Sequence, residues 1–490
     1  MAALFGLPPE RIEDLFDELE EEGVVVLGDF CEEGGPLRAV DAENLESLLR
    51  LSRRAARPQV EARPAKDLFR LVAAVQGLRG RSAASHPAAS LPAAPLSAAV
   101  ESEDPRLALE EALDRLAGYS VPASLWESEF LPARVPGYSP VLLDTLLSGE
   151  PRLWFGTGRE RLAFARAEEL ELFAKGGASR LLSPDSPPLD FWELKDRAGL
   201  SSKELALALW AEAWKGLAGA EGFEAVRKGL AARFGRDLPD AVPAEAAPEP
   251  FGARRRVPRA LRERWKAGAP VAGRWFALDL GPDEGDALDE EELERARVRV
   301  LARRYGLLAK PLLERELPLL SWGALFPAMR RMELAGELLY GRFFEGLDGP
   351  QFMSPEAFEL WKGLGNPAAG GEGPLWLSAL DPASPAGFPF QERPALLPPR
   401  ALSARLCLSG GEVVASRLRS GKELRIGPEP GDPAAAAIVS GIAPRAAGPG
   451  AARGRVVLES VNGQAAARSP YASLLAAAGF EADRGKMTLW

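Results

Sequence analysis

The chain has 490 residues, and at about 150 residues per domain that length predicts roughly three domains. Hydrophobic residues make up 46% and charged residues 27%, an ordinary globular balance whose cores need neither a disulfide nor a structural metal. One histidine, two distant cysteines (Cys31 and Cys407) and a formal net charge of -10 exclude several chemistries. A histidine pair, a HExxH zinc site and a CxxC zinc ribbon are ruled out, so neither a metal nor a cofactor is expected. The single His86 lies in RSAASHPAASLPAAP, a tract that cannot hold a catalytic base in place. The acidic total argues against coating nucleic acid by charge alone and leaves room for a local basic groove. With no apolar run of about 18 residues and no basic-then-apolar leader, neither a membrane span nor a signal peptide is predicted. Unpaired cysteines point to a reduced, cytoplasmic setting.

The first element is an acidic amphipathic helix, RIEDLFDELEEEG, running into the apolar stretch VVVLGDF (11–30). Residues 1–34 are read as a partial winged helix, because 22 residues precede its stop glycine Gly23 whereas 45 separate Glu291 from Gly336 in the last such unit. Leu4, Phe5, Leu7, Ile12, Leu15, Phe16 and Leu19 would then form a bare apolar face, completed by upstream residues or by another polypeptide. Phosphates would repel the acidic helix, so this unit is expected to be architectural. A helical segment follows at 35–80, then a Ser/Ala/Pro linker at 81–104. Residues 105–170 form a second helical, winged-helix unit, in which VLLDTLLSGE leads into PRLWFGTGRERLAFA. A third winged-helix-like unit spans 171–236, with Trp210 and Trp214 on one helix face beside Leu207 and Leu217. A basic Pro/Ala-rich linker at 237–280 precedes the last winged helix at 281–352. Residues 353–490 hold short apolar strands, a hairpin signal at SGG (409–411), a long mobile loop at 427–453, and a closing helix, glycine stop and strand.

One pattern recurs. A helix ends at a stop glycine (Gly23, Gly149, Gly336) and runs into two short strands. That is the outline of a recognition helix followed by a wing. The predicted fold is therefore α+β: tandem winged-helix (helix-turn-helix) domains followed by a small antiparallel β-barrel-like domain.

The strongest nucleic-acid signal is FGARRRVPRALRERWKAGAPVAGRW (251–275), with seven arginines and one lysine against one glutamate. Its candidates are Arg254, Arg255, Arg256, Arg259, Arg262, Arg264 and Arg274 for phosphates, with Trp265 and Trp275 for stacking on bases. The alternative is a solvated linker. In LRLSRRAARPQVEARPAKDLFR (49–70), Arg53, Arg54 and Arg57 share a helix face with Arg50, to contact DNA or to pair with the acidic helix. Arg330, Arg331 and Arg342 fall on the recognition helix and wing of the last unit. Base excision would need a carboxylate or amide beside a flipped base. Glu345, Asp348, Gln351 and Asp381 are candidates, against the alternatives of a solvated acid for Glu345 and a turn cap for Asp381.

Five ordered blocks carry a resemblance: ASLWESEFLPARVPGYSPVLLDTLLSGE (123–150), GRWFALD (273–279), ALFPAMRRMELAGELLYGRFFEGLDGPQF (324–352), ALDPASPAGFPF (379–390) and VLESVNGQAAARSPYASLLAAAGF (457–480). They resemble the carboxy-terminal region of the bacterial large helicase-related (Lhr) family. The resemblance implies a helicase, then a module of tandem winged helices and a β-barrel, similar in fold to the helix-turn-helix DNA glycosylases that unhook alkylated or crosslinked bases. It also implies a catalytic aspartate close to the chain end, where Asp483 is the aspartate present. The helicase itself is missing from this chain. GxxxxGK[ST] does not occur, SGKE (420–423) has Ser416 where the first glycine should be, and no DEAH-type box is present, so no ATP hydrolysis is expected. The expected function is a DNA-binding module for single-stranded or forked DNA, acting in repair with an upstream helicase ATPase in cis or in trans. A DNA glycosylase for uracil or alkylated bases, and a scaffold docking a helicase subunit, are the alternatives.

Overall fold

The structure, a computed structural model, describes residue 6 and residues 8–28, 38–56, 60–78, 104–149, 151–238, 271–278, 287–364, 373–390, 392–442 and 455–490. Helix α1 (Pro9–Glu21) has proline in its first turn, where a missing N–H leaves nothing unsatisfied. The chain then turns at Gly23, whose φ of 70° suits glycine. Strand β1 (Val25–Gly28) pairs antiparallel with β2 (Arg38–Asp41), and helix α2 (Ala42–Ala56) follows. This hairpin crosses the boundary expected at residue 34, because Val25 is in register with Asp41. On the bare face expected for α1, Leu15 is exposed while Ile12, Phe16 and Leu19 are half-buried.

Helix α3 (Ala65–Val75) buries Leu68, Phe69, Leu71 and Val72. Helix α4 (Pro105–Arg115) is capped by Asp104, whose carboxylate accepts the Arg106 N–H. Strand β3 (Val121–Pro122) leads through tight and wide helical turns into α5 (Leu131–Arg134) and α6 (Pro140–Gly149). Gly149 ends α6 without taking the left-handed conformation expected of it. Strands β4 (Arg152–Gly158) and β5 (Arg161–Arg166) form the wing, in a sheet of order β3-β5-β4.

Helices α7 (Phe191–Ala198) and α8 (Ser202–Ala213) each start in a reciprocal capping box, Asp190 with Glu193 and Ser201 with Glu204. After them come β6 (Ala218–Ala220), α9 (Glu224–Ala231) and β7 (Trp275–Ala277). Strand β7 pairs antiparallel with β6 and bridges Leu189 on its other side. It therefore belongs to a sheet, not to the linker expected over 237–280. Trp210 is buried on α8, but Leu207 points to solvent, away from the tryptophan face it was expected to share.

The next unit has α10 (Ala287–Tyr305), β8 (Leu307–Leu308), α11 (Lys310–Leu313), α12 (Trp322–Ala335), β9 (Leu339–Gly341) and β10 (Gln351–Met353), with sheet order β8-β10-β9. Its second wing strand begins at Gln351, beyond the RFFEGL segment where the sequence places it. Phe343 and Phe344 are buried, and the Gln351 side chain takes their N–H groups in place of a ladder.

Helix α13 (Pro355–Gly363) precedes the last region. Strands β11 (Leu375–Ser378), β12 (Arg405–Ser409), β13 (Glu412–Leu418) and β14 (Glu423–Ile426) form a meander, with Gly410 and Gly411 at the expected hairpin turn. Helix α14 (Pro433–Ser440) lies inside the stretch expected as a loop over 427–453, of which 443–453 fall outside the described residues. Then come β15 (Val456–Leu458), β16 (Ser460–Val461), β17 (Gln464–Ala465), α15 (Ala472–Ala477), β18 (Glu481–Asp483) and β19 (Lys486–Leu489). No closed barrel forms among the described residues, which hold two open sheets, β11-β12-β13-β14-β16-β17 and β15-β19-β18. The crossover through α14 returns β16 parallel to β14, and the chain bend at Glu459 separates β15 from β16.

Candidate nucleic-acid interface

A winged helix meets DNA through the helix before its wing and through the wing itself. In the unit 105–166 these are α6 and the β4–β5 turn. Asp144 on α6 accepts from Arg227 Nη1 (2.7 Å) and from the Phe223 N–H (3.1 Å), so the following unit covers one side of this helix. What remains open is an uncharged strip, Val141, Thr145 and Ser148. In the last winged unit, Arg331 is tied to Glu291 (3.2 Å) and Glu294 (2.8 Å) of α10. Arg330 donates to Glu333 (3.0 Å) and lies 5.4 Å from the Tyr340 ring centre. Arg342 is exposed and, unlike the other two, has no carboxylate partner among the described residues.

Arg254, Arg255, Arg256, Arg259, Arg262, Arg264 and Trp265 lie outside the described residues, as does Arg57; Arg53 and Arg54 stand on α2. Arg274 is exposed and donates to the Pro188 carbonyl through Nε (3.1 Å) and Nη2 (2.6 Å). Trp275 is fully buried, edge-on to Trp154 and Trp210, with Nε1 donating to the Ala272 carbonyl. The expectation that its indole stacks on a base is corrected, because β7 turns it into the core.

Glu345 and Asp348 are exposed in the loop 342–350. Gln351 is buried, with Oε1 accepting from the Phe343 and Phe344 N–H groups and Nε2 donating to the Phe344 carbonyl. Asp381 is 2% exposed and accepts from Arg134 Nη1 (3.0 Å) and Nη2 (3.1 Å) and from the Ala383 N–H. With their hydrogen-bonding capacity spent on the protein and no route to solvent, Gln351 and Asp381 hold the fold. Asp483 is exposed on the β18–β19 hairpin opposite Lys486. Register puts Glu481, opposite Thr488, on the same sheet face, and Trp490 directly follows β19. The Trp490 indole is 63% exposed, with the Arg455 guanidinium 4.4 Å from its ring centre. Sequence reasoning missed Trp490 and Arg455, since an isolated tryptophan and an isolated arginine form no run. Among the described residues there is no group of three metal-ligating side chains, and no helix is long and apolar enough to cross a membrane.

A helix, a short strand, two further helices and a hairpin wing, with the first strand beside the third, define a winged-helix protein. The winged-helix domain described as that of the large helicase-related protein matches twice, over 64–172 and over 287–371. The chain thus carries two winged-helix domains of the large helicase-related (Lhr) family, within a stretch similar to part of that family's carboxy-terminal region. It is 28% identical over 365 residues to the Lhr helicase/uracil glycosylase of Escherichia coli strain K12, a match covering 64% of this chain and 22% of that protein. It is 25% identical over 452 residues to the Lhr helicase/probable uracil glycosylase of Mycolicibacterium smegmatis, covering 86% of this chain and 28% of that protein. The chain thus spans less than a third of the length of these curated relatives. The Streptomyces sahachiroi DNA glycosylase AlkZ aligns over 78% of this chain and 96% of its own, at 14% identity and a TM-score of 0.38, too distant to carry an argument.

Proposed function

We propose that the chain binds DNA through tandem winged helices, with its basic run presented from the wing of a third unit formed by residues 189–278. The observation that carries this reading is the β6–β7 pairing. Leu189, β7 and β6 repeat the first–third–second strand order of the other two units, and α7 and α8 occupy the helix-turn-helix position. Its wing strands are joined by residues 221–274, which include Arg254, Arg255, Arg256, Arg259, Arg262, Arg264 and Trp265. A wing is a DNA-contacting element, and the segment joining these two strands carries six arginines and one lysine between residues 254 and 266. Single-stranded or forked DNA as ligand, a role in repair and a helicase partner in cis or in trans are supported by the family. Replacing Arg254, Arg255, Arg256 and Arg259 with Ala should weaken single-strand binding and flatten its salt dependence by about 0.7 per lost phosphate contact. Unchanged affinity and slope would return the run to a linker, and no salt-dependent binding by the intact chain would favour the scaffold reading.

A second reading, removal of a damaged base, is favoured by the β18–β19 face. It carries the exposed carboxylates of Asp483 and Glu481, and the exposed Trp490 indole directly follows its last strand. A carboxylate to stabilise an oxocarbenium-like sugar and an aromatic surface for an unpaired base are the parts that excision needs. Both curated relatives bear uracil glycosylase in their names. Abasic-site formation on uracil-containing DNA, abolished by Asp483→Asn with DNA affinity kept, is the expected result. Activity that persists in that variant would remove Asp483 from the reaction.

A further inference from the structure

The wing turn of the first winged unit, the Arg315 segment of the last one and the loop after β11 meet around Tyr119. Arg161 donates from Nε to Ser120 Oγ (3.0 Å) and from Nη2 to the Ser120 carbonyl (2.6 Å), and Ser120 Oγ lies 2.7 Å from Thr157 Oγ1. Arg400 donates to Tyr119 Oη (2.6 Å) and to the carbonyls of Ala379 and Leu380 (both 2.9 Å). Arg315 donates from Nη1 to the Ser384 carbonyl (2.8 Å), while its Nε and Nη2 are buried with no hydrogen-bond partner. Every acceptor in this arrangement is neutral, and none of the three guanidiniums has a carboxylate partner among the described residues.

The acids nearest to them are already engaged. Asp381 is clamped by Arg134, and Glu316 is shared by Arg304 and the Tyr305 hydroxyl. Five guanidiniums (Arg134, Arg161, Arg304, Arg315, Arg400) therefore share two carboxylates. Burial, and then the positive charge of Arg400, push Arg315 down to about 10, and burial likewise lowers Arg161. Arginines taken out of water are normally matched by carboxylates or bound anions, because an uncompensated charge there is costly. Three arginines with two hydroxyls between them offer the fork and point donors that a tetrahedral phosphoryl group accepts. All five residues, Ser120, Thr157, Arg161, Arg315 and Arg400, keep part of their surface in solvent, while the unpartnered Arg315 Nε and Nη2 lie beneath it.

We infer that Arg161, Arg315 and Arg400, with Ser120 and Thr157, form a phosphoryl-anion site at the junction of the two family-matched winged helices and the carboxy-terminal sheet. The site does not depend on the DNA-binding reading, although a DNA backbone phosphate is one source of its ligand.

The test uses the full chain and inorganic phosphate, with sodium chloride at matched ionic strength as control. Phosphate should raise the Tm of the wild type in a saturable way that chloride does not reproduce. Arg161→Gln and Arg315→Gln should each weaken the apparent phosphate affinity at least tenfold. Arg161→Lys, which keeps the charge, should retain part of the effect and guards against a loss that comes from misfolding. A second arm measures binding to a single-stranded oligonucleotide against salt. A slope reduced by about 0.7 in the Gln variants identifies the ligand as a backbone phosphate. An unchanged slope with phosphate stabilisation intact in the wild type identifies a free phosphoryl anion, and the site stands. If phosphate stabilises the wild type no more than chloride does, or stabilises the Gln variants equally well, the site is overturned whatever the chain does with DNA.

Discussion

Asp381 illustrates how a residue can be singled out correctly and given the wrong work. Its place in a family-like block makes it a candidate acid and its position before Pro382 offers the turn-cap alternative, which comes closer, since its Oδ1 accepts the Ala383 N–H. What the sequence could not show is Arg134, 247 residues away, closing a bidentate pair with both side chains out of water. Removing one member of such a pair strands the other charge, at a cost of about 3–5 kcal/mol. Asp381→Ala should therefore lower the urea midpoint by an amount in that range, and Asp381→Ala with Arg134→Met should recover much of it. If Asp381→Ala is as stable as the wild type, the pair is not holding these units together. Asp114 supports a pH prediction. Burial opposes its ionisation, but hydrogen bonds from Arg152 and Arg166 win and hold its carboxyl below the ordinary value. A lowered folded-state pKa contributes stability above the unfolded value of about 3.9, and that stability is lost as pH falls through the folded one. Asp114→Asn should be less stable than the wild type at neutral pH, with the gap closing as the pH drops below about 4. A gap independent of pH would mean that packing, not charge, sets the difference.

Elements with strong local signals were legible, and those made by distant pairing were not. The helices ending near Gly23 and Gly336, the SGG hairpin, and the VLLDTLLSGE helix with its wing all stand where periodicity and turn residues put them. The strand β7 was hidden because three residues, Trp275 to Ala277, follow a basic run and pair with Ala218–Ala220 far upstream. A parallel β14–β16 pairing leaves no trace in alternation, so the sequence pattern reads as wholly antiparallel where the sheet is mixed. Gly156 was likewise silent in sequence. A Cβ there would stand 1.9 Å from the Ala213 carbonyl oxygen and 2.6 Å from Trp214 Cα, where β4 of one unit meets the end of α8 in the next. Neither obstacle is a flexible side chain, so the backbone itself must move. Gly156→Ala should separate these units at a cost of about 1–3 kcal/mol or more, read as a lower Tm together with a red shift in the emission of the Trp154, Trp210 and Trp275 cluster. An unshifted spectrum would show that the contact yields without parting.

At the scale of the molecule, the boundary between the winged helices and the carboxy-terminal sheet is a boundary in topology more than in packing. The largest core joins Leu68 and Phe69 of α3, Leu301 and Tyr305 of α10, and Leu375, Leu377 and Leu406 of the sheet. Phe388 packs edge-on against Phe69, with ring centres 5.2 Å apart. Polar contacts reinforce the same seam: Arg134 with Asp381, Arg405 with Glu129 (3.0 Å), Tyr119 Oη donating to the Leu380 carbonyl, and Lys66 with Glu412. A seam that shares a core of this kind should not come apart when the covalent link is cut. Cutting the chain within residues 365–372, which join α13 to β11, should leave the two pieces associated through size-exclusion chromatography in moderate salt. They should also unfold in one transition, because neither side can keep its apolar surface covered alone. The buried Arg134–Asp381 pair should keep them joined at high ionic strength, whereas the exposed Lys66–Glu412 contact is screened. If the pieces separate cleanly and each melts on its own, the carboxy-terminal sheet is an independent domain resting against the winged helices, and the phosphoryl site at their junction would have to open and close with that contact.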